Sequence, residues 1–415
     1  MDTIRSYPLN RLPQKMRNIL REGQREAAKV WNLCKGLHHA ARSSQTRWPN
    51  RDALQKATKG QFALHSQSVQ MVVHAFLGAV DSTKERKPAN PKIRYPYKEK
   101  RFYPLLWPAR AMAVSEKRII LPMGRGRKSV VLSRPEGFPD DGGAAKIVWN
   151  GVGYELHVAV HTPEASACQE GHRATADLGQ IHQAAVTTDD GRALIVSGRA
   201  IRSEKRRHNK TMGKLQKLKV RCKKGSKRYR RLTAAGRKDT LRIQRRVRDL
   251  RHKGTRQVID FCRAHEVSTL YVGNPDGVRA QRRGRKQKQR MLRWEYGKDI
   301  DYLSHKSRLA GMTCFTGTER GTSSRCPSCG QKHKPKGRVW RCKACGFVGH
   351  RDLVGSFNMH EIAFGEKVPF PERCSTTYLR PGHKNPWQAA AHEDPAVGSS
   401  RCPDAGHSPA TERIV

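Results

Sequence analysis

Apolar residues recur at intervals of three and four along two stretches near the N-terminus, a spacing typical of helices with one buried face. The pattern predicts a first helix from Pro13 to about Ser43 and a second from about Gln61 to Val80, with a polar segment around Trp48-Pro49-Asn50 between them. We interpret residues 11–87 as a small helical insert.

Short apolar runs, separated by turns rich in Gly and Pro, surround this insert and predict strands. They cover residues 1–10, 118–121, 129–132, 145–149 and 154–160. We therefore expect residues 1–10 and 88–163 to form a small antiparallel β-barrel that the helical insert interrupts.

A third region begins around Ala174-Thr-Ala-Asp177-Leu-Gly179, where strand patterns mix with helical ones. Strands are predicted at residues 184–188, 193–196, 268–272 and 312–316, and a helix from Trp294 to Ala310. This mixture predicts an α+β domain over residues 170–320. After Phe370 the chain turns to Pro, Gly, Ser and scattered charge without periodicity, so residues 370–415 are predicted to be disordered.

The charge of the chain points to a polyanionic partner. There are 83 Lys and Arg against 35 Asp and Glu, a net charge of +48. A surface this positive repels itself and favours nucleic acid. A membrane partner is not expected, because no apolar run reaches the roughly 18 residues of a spanning helix. No signal-peptide pattern opens the chain and most cysteines are scattered, which favours a reducing cytoplasm.

Two segments are candidates for contact with nucleic acid. Residues 202–253 contain 23 Lys or Arg and only three acids, a composition that predicts a pair of long basic helices lying on a phosphate backbone. Residues 94–107 interleave aromatic rings with cations; the rings can stack on bases while the cations neutralise phosphates. The alternative for this segment is a β-sheet edge with solvated charges. The candidate contact residues are Tyr95, Tyr97, Arg101, Phe102, Tyr103, Arg206, Arg207, Lys210, Lys223, Lys224, Arg245 and Arg246.

Four cysteines have the spacing of a metal site. Cys326-Pro-Ser-Cys329 and Cys342-Lys-Ala-Cys345 are two CxxC pairs separated by 12 residues. Two such pairs are typical of a four-thiolate zinc ribbon, in which each pair closes a tight turn on one side of a tetrahedral ion. We therefore predict a zinc ribbon over residues 321–349; two disulfides or four unrelated thiols are the alternatives.

Two acidic residues are poorly explained by packing. Asp177 lies within an apolar strand start, and Asp352 opens the apolar helical pattern that follows the ribbon. A buried carboxylate is costly unless a cation compensates for it, and a divalent metal ion is the usual compensation. Arg325, Arg341 and Arg351 lie nearby in the sequence and are candidates for clamping a phosphate.

Asp177-Leu-Gly, the segment from Thr322-Ser323 into Cys326 and Cys329-Gly, and Asp352 with Asn358 together resemble the RuvC-like nuclease domain of the TnpB family. These are transposon-encoded, RNA-guided DNA endonucleases related to compact type V CRISPR effectors, and the motifs span roughly residues 174–360. The resemblance implies an RNase H-like nuclease domain with an inserted zinc ribbon and a last helix at 350–369. Less specifically, it implies a β-barrel wedge domain with a helical recognition insert.

The resemblance further implies a guide RNA, a double-stranded DNA target beside a short adjacent motif, and three acidic residues that hold two magnesium ions. Asp177 matches the first acid and Asp352 the last. The protein would act as a monomer in a prokaryotic cytoplasm, associated with the nucleoid. Asp177→Ala would abolish cleavage and leave RNA binding intact.

The second acid departs from the family pattern, because Gly273 stands where these proteins usually have Glu. Glu319 is our candidate replacement, since it follows a predicted strand and precedes the ribbon; Asp276 and Glu295 are the other candidates. The alternatives are a nuclease-inactive, RNA-guided DNA-binding protein that represses transcription, and a basic zinc-ribbon RNA-binding protein. The former keeps the fold, whereas the latter leaves Asp177 and Asp352 unexplained.

Overall fold

The computed structural model describes residues 2–168, 170–275, 284, 289, 291, 294–333, 337–379 and 392–395. The chain divides into two compact units, Met1–Thr162 and Pro163–Val415. Among the described residues, no helix is both long and apolar enough to cross a bilayer.

Three helices lie in the first unit: α1 (Gln14–Ser43), α2 (Arg51–Thr58) and α3 (Ser66–Arg86). The sequence did not predict α2, which begins directly after the polar segment; Asn50 caps it by accepting a 2.9 Å hydrogen bond from the backbone N–H of Ala53. The helix expected from Gln61 begins instead at Ser66. Trp31 and Phe76 are buried between the helices, with their rings edge to face.

The strands of the first unit form two antiparallel sheets. They are β1 (Asp2–Leu9), β2 (Leu105–Trp107), β3 (Ala113–Val114), β4 (Arg118–Leu121), β5 (Val130–Ser133), β6 (Ala145–Trp149) and β7 (Tyr154–His161). One sheet has the order β1-β7-β6-β2 and the other β3-β4-β5. The 3₁₀ turn Ala109–Ala111, which follows Pro108, separates β2 from β3. The strands predicted for a barrel are therefore present, but their hydrogen bonds do not join them into one sheet.

A mixed sheet organises the second unit. Its first five strands are β8 (His172–Asp177), β9 (His182–Thr188), β10 (Ala193–Ser197), β11 (Val267–Asn274) and β12 (Thr313–Thr318). Their order is β12-β11-β8-β9-β10, with β8, β11 and β12 parallel and β9 antiparallel to β8. The carboxyl ends of β8, β11 and β12 consequently lie at one edge of the sheet.

Four described helices accompany this sheet: α4 (Arg199–Val220), α5 (Lys227–Ala264), α6 (Tyr296–Leu309) and α7 (Arg351–Phe364). Helices α4 and α5 pack on each other as a hairpin, as the basic composition of residues 202–253 predicts. The hairpin is anchored at its base, where Leu250, Val258 and Cys262 of α5 are buried in the core of the unit. Its other end is largely polar and exposed. Between α6 and α7, the strands β13 (Val339–Arg341) and β14 (Val348–His350) pair with each other in antiparallel fashion.

The prediction of disorder from residue 370 onwards was wrong for two segments. Strand β15 (Arg373–Thr377) pairs in parallel with β10, and β16 (His392–Pro395) pairs with β15. Cys374 and Thr376 are buried while their neighbours are not, so β15 has the alternation of a half-buried strand. β15 has five residues and one apolar side chain, which is too little for composition to predict a strand. The strand forms because it pairs with the backbone of β10.

Candidate active site

Asp177 and Glu319 lie at the same edge of the mixed sheet. Asp177 is the last residue of β8, and Glu319 follows the last residue of β12. Both strands run parallel to β11, which lies between them, so both acids stand at carboxyl ends. The edge of a parallel sheet is a common location for functional groups, because the side chains of several strands meet there.

Helix α7 brings Asp352 to this edge. It packs across β8 and β9, where the Ser356 hydroxyl donates a 2.9 Å hydrogen bond to the carbonyl of Thr175 and the Thr175 hydroxyl donates a 2.7 Å bond to the carbonyl of Ser356. Gly355 permits the approach, because a Cβ at this position would lie 2.4 Å from Oδ2 of Asp177. The first turn of the helix, with Asp352, is thereby fixed beside Asp177.

The electrostatics of Asp177 reflect this convergence. Burial and the charges of Glu319 and Asp352 raise the pKa of its carboxyl well above the ordinary value, although Arg351 and Arg338 oppose this. Such a group is destabilised as an anion, and a divalent cation would relieve the repulsion. The three acids therefore fit a cation site, although their oxygens do not all lie within 4.8 Å of one another.

Gly273 explains how Glu319 reaches the site. A Cβ on Gly273 would lie 2.9 Å from Oε2 and 3.2 Å from Cβ of Glu319, and 2.8 Å from the sulfur of Met359. The side chain of Glu319 thus fills the space into which a side chain at position 273 would point. The absence of a side chain at position 273 and the presence of an acid at position 319 therefore depend on each other.

Asp352 has a different environment from Asp177. Its Oδ2 lies 2.6 Å from Nδ1 of His182, and Nη1 of Arg338 lies 2.7 and 3.0 Å from its two oxygens. Although burial raises the pKa of Asp352, the hydrogen bond from His182 and the charge of Arg338 outweigh it and bring the pKa to about 2. Asp352 is therefore a carboxylate anion at neutral pH.

The remaining candidate residues from the sequence are Glu295, Asp276, Arg325 and Arg351. Glu295, the residue before α6, forms ion pairs with Lys205 and Lys298, which lower its pKa against the effect of burial. Asp276 lies outside the described residues. Arg325 forms a 2.6 Å ion pair with Glu361 of α7, whereas Arg351 lies near enough to Asp177 to lower its pKa.

The four cysteines of the ribbon come together, and Cys326 and Cys342 share a buried cluster with Val354 of α7. Sγ of Cys326 lies 3.6 Å from that of Cys345, and Sγ of Cys329 lies 3.5 Å from that of Cys342, so the cluster can hold a zinc ion. A backbone N–H of Phe347 helps to lower the pKa of Cys345 to about 6, whereas burial raises that of Cys326 to about 12. Metal binding would release the remaining protons.

Strands β13 and β14 connect the ribbon to α7. Asn358 also links α7 to the ribbon, because its side-chain amide donates hydrogen bonds of 2.7 and 2.8 Å to the carbonyls of Thr322 and Arg325. The N–H of Thr322 in turn donates to the carbonyl of Glu319. Ribbon, helix and Glu319 are thus one hydrogen-bonded assembly.

The basic candidates lie along the α4–α5 hairpin. Arg206, Lys210, Lys223, Lys224 and Arg245 are exposed or half-exposed. Arg207 and Arg246 each lie 3.0 Å from an oxygen of Glu204, which already neutralises part of their charge.

The aromatic candidates lie in the first unit and are packed to different degrees. Tyr95 stacks on Tyr97 with 5.7 Å between ring centroids, and Arg42 lies 4.6 Å from the Tyr95 ring. Phe102 is 39% exposed, near Arg101 and Arg25. Tyr103 stacks on Trp31 at 4.7 Å, so the core covers one of its faces.

Sequence reasoning did not identify His182, Arg338 or Gly355 as parts of this site. His182 is 170 residues from Asp352 in the chain, and a single histidine at a strand start gives no periodic signal. Gly355 inside an apolar helix is a weak sign of close packing, which the sequence alone could have suggested.

Comparison with known families gives two partial matches. Residues 156–279 match the family model described as a probable transposase, OrfB_IS605, and residues 296–359 match the Cas12f1-like TNB domain. The TnpB-like protein MJ0751 of Methanocaldococcus jannaschii is 27% identical over 173 residues, which are 41% of this chain. The chain spans 61% of the length of that relative.

Two solved structures have a similar fold. Cas12f1, in a complex with sgRNA and target DNA, superposes with a TM-score of 0.59 at 12% identity, over 84% of this chain and 83% of that one. The mini-RNA-guided endonuclease CRISPR-Cas_phi3 gives 0.51 at 10% identity, over 89% and 94%. At these identities the likeness concerns the fold, which is a mixed α+β fold of the Cas12f kind.

Proposed function

Because this chain belongs to the TnpB family, we propose that it is an RNA-guided endonuclease that cleaves double-stranded DNA beside a short adjacent motif. The observation that carries the proposal is the convergence of Asp177, Glu319 and Asp352. Glu319 and Asp352 lie close enough to Asp177 for their charges to raise its pKa. Three acids held against mutual repulsion are otherwise costly to the fold.

In this proposal Asp177, Glu319 and Asp352 hold two magnesium ions, and Glu319 replaces the acid that Gly273 lacks. Carboxylate oxygens are the ligands that magnesium prefers. When bound, a pair of such ions supplies an activated water and stabilises the leaving oxygen of a phosphodiester. The residues of this chain orient the ions: α7 fixes Asp352, and Asn358 fixes the segment that carries Glu319.

The proposed partners are a guide RNA and the target DNA. In this mode of recognition base pairing reads the sequence, and the protein contacts backbone and shape. A net charge of +48 and the exposed cations of the α4–α5 hairpin support such a role. We assign the aromatic segment around Tyr95 and Phe102, with the helical insert, to the adjacent motif.

The remaining assignments belong to the same proposal. The mixed sheet with α7 is the RNase H-like nuclease domain, the four-cysteine cluster is its zinc ribbon, and the strands and helices of the first unit are the wedge and recognition domains. The protein is proposed to act as a monomer, in the cytoplasm of a prokaryote.

The test begins with the RNA that copurifies with the protein. Its sequence defines a target, which is then placed beside a randomised motif in a plasmid library and incubated with the complex and magnesium. We expect cleavage of a subset that shares one motif. Asp177→Ala should retain the RNA and lose cleavage, and Asp301→Ala, at an exposed position on α6, is the matched control.

Two results would contradict the proposal. Absence of bound RNA would exclude the guided mode. Guided binding without cleavage under any divalent ion would instead support the nuclease-inactive repressor, for which the loss of a side chain at Gly273 is the motivating observation.

A further inference from the structure

Two glycines lie opposite each other in the strands that lead to Glu319. Gly273 of β11 and Gly317 of β12 are partners in the parallel register of the sheet. A glycine inside a strand weakens it and often marks a place where another group approaches the backbone closely. Two facing glycines at the edge of the sheet that carries the acids therefore require an explanation from their surroundings.

Tyr271 fills the space above Gly317. Tyr271 and Gly273 are two residues apart on β11, so both positions point to the same face of the sheet. A Cβ on Gly317 would lie 3.0 Å from two ring carbons of Tyr271, and closer still to its hydroxyl. The side chain of Tyr271 thus crosses from β11 over the glycine of β12.

Glu319 makes the opposite crossing. It follows β12, and its side chain fills the space above Gly273 of β11. Each strand therefore supplies one glycine and one crossing side chain, and each side chain lies over the glycine of the other strand. Two small apolar residues would satisfy packing between the strands, whereas this exchange brings a carboxylate to the edge where Asp177 lies.

The hydroxyl of Tyr271 reaches the residue before Glu319. It donates a 2.9 Å hydrogen bond to the carbonyl of Thr318. Tyr271 is 4% exposed, and its ring contacts that of Phe315 edge to face, with 5.1 Å between centroids. Burial, together with the charge of the nearby Glu319, raises the pKa of the phenol, which therefore remains a hydrogen-bond donor at neutral pH.

The end of β12 depends on such a contact. Among the described strands, β12 lies at the edge of the sheet and pairs only with β11, and its residues Thr316 and Thr318 are exposed. Beyond Thr318, the carbonyl of Glu319 accepts a 2.9 Å hydrogen bond from the hydroxyl of Thr322. The backbone of Glu319 is thus held by Tyr271 on one side and by Thr322 on the other.

We propose that Tyr271 is a positioning residue for Glu319, whose carboxylate it directs over Gly273 by holding the end of β12. The tyrosine acts through the acid and does not itself contact an ion or DNA. The geometry of the exchange stands by itself. Its consequence for metal binding rests on the proposed function, in which Glu319 is a ligand.

The test is a titration with Mn²⁺, which shares the preference of Mg²⁺ for carboxylate oxygen and is followed by the electron paramagnetic resonance signal of the free ion. The protein is zinc-loaded and free of RNA, so the thiolates of the ribbon are already occupied. Tyr271→Phe removes the hydroxyl and keeps the ring over Gly317. We expect it to weaken Mn²⁺ binding by about tenfold or more, as loss of other groups that orient a metal ligand does.

A double variant shows whether the effect passes through the acid. Glu319→Ala should also weaken Mn²⁺ binding, and adding Tyr271→Phe to it should cause no further loss, because the group that the tyrosine positions is gone. Stabilisation of the sheet alone is the simpler role for Tyr271. It would lower the melting temperature of Tyr271→Phe and leave the affinity for Mn²⁺ unchanged.

Tyr7→Phe is the matched control. Tyr7 of β1 donates a 2.7 Å hydrogen bond to the carbonyl of Gly137 in the first unit. Its replacement removes the same kind of tyrosine–carbonyl bond far along the chain from the acids, and should leave Mn²⁺ binding unaltered. The zinc content and melting temperature of each variant report whether it is folded.

Guided cleavage supplies a second measurement. Tyr271→Phe should raise the Mg²⁺ concentration needed for half-maximal cleavage, and excess Mg²⁺ should restore most of the rate, because the carboxylate is displaced and not lost. The inference is overturned if Tyr271→Phe binds Mn²⁺ as the wild type does, or if it weakens binding equally in the wild type and in the Glu319→Ala variant.

Failure of this inference differs from failure of the proposed function. Either overturning result, combined with guided cleavage that depends on Glu319, removes the role of Tyr271 and keeps the nuclease. A protein whose Mn²⁺ binding depends on both residues but which never cleaves guided DNA does the opposite. A wild type that binds no Mn²⁺ contradicts both.

Discussion

At the scale of single residues, Gly273 and Glu319 are a coupled pair. The space that a side chain at position 273 would need is taken by the carboxylate of Glu319, with the end of Met359 as the third neighbour. Glu319, which follows β12, can therefore occupy this position only because residue 273 of β11 has no side chain. Coupling of this kind is tested by changing both members together.

We expect Glu319→Ala to reduce guided cleavage by about a hundredfold or more, as loss of a charge-stabilising group does in other enzymes. Adding Gly273→Glu to this variant should restore part of the activity, since the new carboxylate enters the vacated space once Met359 shifts. Plasmid cleavage rates measure both effects. Gly273→Gln in the same background is the neutral control, and equal activity of the Gln and Glu variants would show that the charge does not matter.

The environments of Asp177 and Asp352 predict opposite effects on the stability of the metal-free protein. A carboxyl whose pKa is raised in the folded state lowers stability as the pH rises above its ordinary pKa of 3.8, because the unfolded chain then loses the proton that the folded protein keeps. Asp177→Asn should therefore be stabilising at neutral pH, and the gain should vanish as the pH falls below 3.8. Denaturant unfolding over a pH series, without divalent ions, measures it.

Asp352 has the reverse sign. Its pKa falls from 3.8 to about 2, a difference worth roughly 2 kcal/mol of stability. This contribution is present above pH 3.8 and is lost as the pH falls towards 2. Asp352→Asn should therefore destabilise the metal-free protein at neutral pH. Equal shifts in the two asparagine variants would contradict the environments described for these acids.

How much of the site the sequence revealed depends on distance along the chain. Asp177 was recognisable because a charged residue in an apolar strand is unusual, and the cysteines because their spacing is local. His182 and Arg338 could not be found in this way, since their relation to Asp352 exists only after the sheet and the ribbon have folded. Glu319 was inferred from its position between a predicted strand and the ribbon, and only the structure shows that it lies near Asp177.

At the scale of elements, the strands bounded by Gly and Pro turns were predicted well, and β4 and β6 match to the residue. The neighbouring Gly and Pro residues set the ends of these strands, so the ends can be predicted from the sequence. Helix α2 and strand β15 were missed, because each has only two buried residues. Such short elements depend on neighbours for their stability, and their own composition gives little signal.

The α4–α5 hairpin allows a prediction about charge at this scale. Lys223 and Lys224 are exposed near its tip, whereas Arg207 and Arg246 share the carboxylate of Glu204. A cation already paired with an acid gains less from a phosphate. We therefore expect glutamine at both lysines to lower the slope of log affinity against log salt by roughly 0.7–0.9 for each phosphate that the lysines no longer neutralise.

Filter binding of the guide RNA over a series of salt concentrations measures this slope. The double variant Arg207→Gln with Arg246→Gln removes the same formal charge and is the matched comparison, for which a smaller change is expected. If the two double variants change the slope equally, the pairing with Glu204 has no influence on RNA binding.

At the scale of the whole molecule, a net charge of +48 opposes the compact state. Salt shortens the range of this repulsion, from a Debye length of about 10 Å at 0.1 M to about 3 Å at 1 M. Raising the salt concentration over this range should therefore raise the melting temperature of the RNA-free protein. With guide RNA bound the same change should lower it, because salt weakens the complex and a ligand stabilises only while it is bound. Thermal unfolding with and without RNA measures both trends, and a melting temperature of the RNA-free protein that does not rise with salt would mean that self-repulsion is not what the RNA relieves.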